Sequence, residues 1–92
     1  MTTQYRPTTA QAAILRHIMH GAYLWRNNEG DIYLARKGGR AYQVNIITFR
    51  ALLKSGCIET EDGQPQMIHQ AKYYQISEIG KQALEWAVTH GR

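Results

Sequence analysis

Arg50 and Lys54 stand four residues apart in a segment of helical periodicity, a spacing that sets both cations on one helix face. Held against a major groove, such a pair reaches phosphates or guanine edges, Arg being able to pair bidentately with guanine. The stretch Arg36-Lys37-Gly38-Gly39-Arg40 adds three positive charges beside two glycines that let backbone N–H groups approach an anion. It lacks the Gly-Lys-Ser/Thr ending of a nucleotide-binding loop, which excludes that use. Both sets also fit plainer roles, a solvated helix face and a flexible connector. Ile47 and Ala51 share the surface of Arg50 and Lys54, and an exposed Ile47 suits a protein partner or a thymine methyl alike.

The other candidate groups point away from catalysis. His17 and His20 have a spacing that can chelate a metal, but no third ligand stands nearby, and His69 and His90 are isolated. Ordinary surface histidines and no metal are expected. Cys57 sits in an apolar strand context and reads as a small buried hydrophobe rather than a nucleophile. The seven carboxylates offer no acid–base pair, and no Ser or Cys stands in a nucleophile motif, so neither an enzyme nor a cofactor is expected.

Charge is unevenly spread. Residues 1–57 carry eight basic side chains against Glu29 and Asp31, a net +6, whereas residues 58–92 carry three against five acidic ones, a net −2. That asymmetry implies a basic face able to meet phosphate, and it also serves solubility. Ninety-two residues make one domain with a single modest core. No apolar run reaches the roughly 18 residues of a membrane span, and the polar N-terminal stretch does not read as a signal peptide. One cysteine forms no internal disulfide, so a cytoplasmic protein is expected.

These groups must be carried by elements. Residues 1–7 read as a flexible arm, followed by one domain over 8–90. Thr8 or Thr9 caps a helix reaching about His20 and ended by Gly21, with Ala10, Ile14, Leu15 and Ile18 inward and Gln11, Arg16 and His20 toward water. Two alternating runs, 22–26 and 32–36, flank an Asn/Gly turn and predict a hairpin. One of its faces carries Tyr23, Trp25 and Tyr33 and the other Leu24, Ile32 and Leu34; register decides which is buried. Asn45 caps a helix over 46–55 that turns Ile46, Phe49, Leu52 and Leu53 inward, with Gly56 as its left-handed cap. Strands at 57–61 and 72–76 follow, with a turn around 62–65. A last helix, 78–89, buries Ile79, Ala83, Trp86 and Ala87, leaving Leu84 and Val88 free for a homodimer contact.

Thr48, Leu52, Gly56 and Ile58, followed by Tyr74, Ile76, Ser77 and Gly80, reproduce a recurrent winged-helix pattern, Thr-x-x-x-Leu-x-x-x-Gly-x-Ile and then Tyr-x-Leu-Thr-x-x-Gly. Ile76 and Ser77 replace the usual Leu and Thr. The C-terminal half thus resembles the recognition helix, wing and closing helix of winged-helix proteins. The resemblance implies an α+β fold of order α-β-β-α-β-β-α and a helix-turn-helix transcriptional regulator, dimeric through helix 78–89. Double-stranded DNA would be met by Arg36, Lys37, Arg40, Thr48, Arg50 and Lys54. Two features depart from the family: a hairpin stands where its second helix belongs, and the wing begins Glu59-Thr60-Glu61-Asp62, which phosphate repels. The layout is also similar to small YjhX-like toxin proteins. The alternative is therefore a protein-interaction module, an adaptor, inhibitor or toxin encoded by a phage or mobile element, meeting its partner through Tyr23, Trp25, Tyr33 and Ile47.

Overall fold

The structure, a computed structural model, describes residues 6–36, 38–60 and 72–90. The expectations for residues 1–5, Lys37, and the wing turn with Glu61, Asp62 and His69 lie outside the described residues. The elements run α1 (Thr9–Met19), β1 (Tyr23–Arg26), β2 (Ile32–Ala35), β3 (Ala41–Val44), α2 (Ile46–Lys54), β4 (Ile58–Thr60), β5 (Lys72–Ile76) and α3 (Glu78–His90). The fold is α+β, of order α-β-β-β-α-β-β-α. The expected order lacked β3, because only the turn before it was read. Residues 41–44 pair antiparallel with β2.

Local chemistry sets the helix ends. The Thr8 side chain accepts from the Gln11 backbone N–H while the Gln11 side chain accepts from the Thr8 N–H, a reciprocal capping box. Gln11 is consequently buried rather than turned to water, and Ala12 takes the inward place expected of Ala10, which is exposed. Arg6, just before the cap, lies over the Trp86 ring at 5.4 Å. Asn45 caps α2 by accepting from the Ile47 N–H, and Gly56 closes it at a φ of 81°.

The five strands form one antiparallel sheet in the order β3-β2-β1-β5-β4. Cross-strand partners share a face, so Leu24, Ile32, Leu34, Tyr74, Ile58 and Ile76 point to one side. All but Ile76, which packs half-buried against them, join Ile14, Leu15, Phe49, Leu52, Cys57, Ala83 and Leu84 in the core. Tyr23, Trp25 and Tyr33 therefore lie on the opposite side.

α2 leaves β3 at one sheet edge and delivers the chain to β4 at the other. Nine residues rising about 1.5 Å each cross the sheet with a narrow inward stripe. Phe49 and Leu52 are buried; Ile46 and Leu53, expected inward, are 39% and 41% exposed.

The start of α3 interlocks with the end of α2. Ser77 donates through its hydroxyl to the Gly56 carbonyl and accepts from the Gly80 N–H, while its own N–H donates to the Cys57 carbonyl. A Cβ at Gly80 would stand 2.1 Å from that same Cys57 oxygen. This close approach fixes the rotation of α3. Gly80, Ala83 and Leu84 turn inward, Trp86 and Ala87 are half-buried, and Ile79, expected in the core, is 49% exposed. The expected homodimer contact at Leu84 is thereby lost to the core, whereas Val88 stays exposed.

Candidate nucleic-acid interface

Strand register sorts the cations by sheet end. Ala35 pairs with both Tyr23 and Ala41, so the chain before β1, the end of β2 and the start of β3 meet at one end of the sheet. α1 terminates at that end, carrying Arg16, His17 and His20 in and just beyond its last turn. Cations there interact favourably with the helix C-terminal carbonyls.

Arg36 reaches back from β2, and its guanidinium lies 3.4 Å from His17 Nδ1. Arg16, His17, His20, Ala22 and Arg36 together line an open cleft of about 430 Å³. No carboxylate is among those lining residues. Arg40 lies just across the turn, where Gly38 adopts a φ of 79° and so lets the chain reverse within a few residues. Arg16, His20, Arg36 and Arg40 are all exposed. Such a cluster attracts an anion.

α2 begins at the far end, beside Val44, and finishes at the basic end, where Ile58 opens β4. Lys54 thus shares the end of the sheet occupied by Arg36, displaced toward the β4 edge by up to about 14 Å, three strand spacings. Arg50 is exposed one turn back, and Thr48 is half-buried nearer the other end. The expected DNA set is therefore split. Arg36, Arg40 and Lys54 share an end, Arg50 stands between the ends, and Thr48 does not join them. Arg16, His17 and His20 also stand at this end and were not in the expected set, although their i, i+1, i+4 spacing beside a helix stop was visible.

No protein-family model, curated protein or solved structure matches this chain. What these residues can do rests on their own chemistry.

The protein-partner set divides as well. On the sheet face away from the core, Tyr33, Trp25 and Tyr73 form a ladder across β2, β1 and β5. Trp25 stacks on Tyr33 at 5.7 Å and 27°, and meets Tyr73 at 6.3 Å and 37°. Rings stacked on one another stabilise the sheet by about 0.5–1.5 kcal/mol per pair beyond burial. Tyr73, absent from the expected set, completes the ladder because β5 pairs with β1. Ile47, 74% exposed, stands on α2 across the sheet from this face.

Among the described residues no group of three His, Cys, Asp or Glu could hold a metal. Cys57 is fully buried. Burial pushes its thiol pKa up, with a hydrogen bond from Ser55 opposing, so it remains a neutral thiol. No helix among the described residues is long and apolar enough to cross a membrane.

Proposed function

We propose that this chain binds duplex DNA through the basic end of a winged-helix-like scaffold, in the manner of a small transcriptional regulator. One observation carries the reading: Arg16, His17, His20 and Arg36 converge on a carboxylate-free cleft, with Arg40 across the turn. The order α2, β4–β5 hairpin, α3 and the residues at Gly56, Ser77 and Gly80 support the scaffold half of it. Lys54 and Arg50 extend the basic surface along α2. Glu59 faces the aromatic side of the sheet, where Gln75 donates to it at 3.2 Å, and with Glu78 it lines a neighbouring cleft rather than the basic one.

Contacts of this kind are made to phosphate and position the protein without reading sequence. Ile46, Ile47 and Leu53 dominate the rest of the exposed α2 face, a surface suited to a thymine methyl or an apolar partner rather than to base-edge hydrogen bonding. The role is that of a binding protein, with no chemistry performed on the nucleic acid.

Fluorescence anisotropy with a random duplex at low salt tests the proposal. Binding is expected, and Arg36→Ala with Arg40→Ala should weaken it more than Arg50→Ala with Lys54→Ala. Undetectable affinity, or affinity unmoved by both pairs, overturns it. A second reading is favoured by the aromatic ladder: Tyr23, Trp25, Tyr33 and Tyr73, on the sheet face opposite the three described helices, suit a protein partner. It predicts that replacing Trp25, Tyr33 and Ile47 together abolishes a protein-partner interaction in a pull-down; a pull-down that survives all three changes overturns it.

A further inference from the structure

The two edges of the sheet are protected very differently. β4 is three residues long and carries Glu59. β3 reads Ala41-Tyr42-Gln43-Val44, with no charge and no proline, and only Val44 is even half-buried. Among the described residues no strand pairs with the outer side of β3, and an unpaired edge offers a row of backbone N–H and C=O groups, which proteins ordinarily blunt with charge, proline or a bulge. β3 has no such charge or proline along its length. Exposed apolar side chains also gather beside it, with Tyr42 64%, Ile46 39% and Ile47 74% exposed.

We propose that β3 is a homodimer seam, where β3 of a second copy adds antiparallel about a two-fold axis normal to the sheet. Such an axis pairs only residues on the same face, so the strand must be centred on Tyr42 or on Gln43. Centring on Tyr42 draws Arg40 into the ladder opposite Val44. Centring on Gln43 instead sets Tyr42 against the second copy's Val44 on the helix side, an aromatic with a β-branched partner, and Gln43 against Gln43 on the other face. The second register is assigned because it keeps Arg40 outside the seam. A second copy is the occupant because the strand answers its own requirements: equal length, no opposed charge and matched side chains. The dimer joins two five-stranded sheets into one and leaves the Trp25 ladder open. Each Arg40 then lies toward the start of the other copy's α2.

The seam is short, so a concentration-dependent equilibrium is expected rather than an obligate dimer. Sedimentation equilibrium of the full chain over a wide concentration range reads it directly, without reference to DNA. Wild type should dimerise; Gln43→Lys and Gln43→Glu should each raise the dissociation constant by about fivefold, because like charges then face each other across the axis. An equimolar mixture of the two variants should regain dimer, since opposite charges now meet. Gln43 is exposed, and far-UV circular dichroism checks that both variants fold. A chain monomeric at every concentration overturns the proposal. So does a dimer indifferent to Gln43, which would place the contact elsewhere, or a variant mixture that stays monomeric. Duplex affinity without dimerisation would sink the seam alone, and dimerisation without affinity would sink the DNA reading alone.

Discussion

The junction around Gly56 and Gly80 and the basic end around Gly38 use glycine and polar side chains for opposite purposes. At the junction, Ser77, Cys57 and Gly80 satisfy one another at van der Waals contact, and Phe49 meets Tyr74 edge-on at 5.0 Å beneath them. At the basic end, Gly38 merely reverses the chain, and a Cβ there would meet nothing within 4 Å. The surrounding Arg16, Arg36 and Arg40 are held outward in water. The residues that carry the family resemblance are thus mostly those that lock the scaffold. The arginines of the proposed contact, by contrast, lie exposed at the surface. A pattern can announce a fold through the first kind and be silent about the second.

Substitutions separate the two regions by the size of their effect on stability. Phe49→Ala removes a side chain 3% exposed and should cost about 3–5 kcal/mol in chemical denaturation. Gly80→Ala drives a Cβ into the Cys57 carbonyl and should cost about 3 kcal/mol, far more than the same change in an open helix. A cost below about 1 kcal/mol would mean that α3 can slide outward and that the junction is not interlocked. Ser77→Ala leaves the Gly56 carbonyl and the Gly80 N–H without their partner and should cost about 1–3 kcal/mol.

The same division governs what was legible in the sequence. Thr8, Gly21, Asn45 and Gly56 marked helix ends because capping is local chemistry within a few residues. The hairpin at 22–36 was legible from alternation and its turn. β3 was not, because at four residues, with only Val44 packed against the core, its alternation is too short to read. The inward face of α3 was misassigned because Gly80, not an apolar residue, makes its closest contact, and that contact is to a carbonyl twenty-three residues away. Of the basic site, Arg36 and Arg40 were visible. Their grouping with Arg16, His17 and His20 depends on β1 and β2 pairing in a particular register.

Smaller effects sharpen the contrast further. The folded Cys57 thiol titrates above its ordinary value of 9.0 because it is buried. The folded state then holds its proton where the unfolded chain releases it, so stability is complete below that ordinary value and falls as pH rises above it. Denaturation midpoints should show this fall in wild type and lack it in Cys57→Ala. At the basic end, Arg36→Ala with Arg40→Ala should shift stability by less than about 0.5 kcal/mol, because both side chains are exposed. A larger loss would make the basic end part of the scaffold after all.

The salt dependence of duplex affinity tests the central claim most directly. Plotted as log affinity against log salt, binding should fall linearly, with each phosphate contact adding about 0.9 to the slope. Arg36→Ala with Arg40→Ala should flatten that slope by roughly two contacts, while Trp25→Ala leaves it unchanged. A slope near zero, or one that the arginine pair does not alter, would contradict a DNA-binding role for the basic end.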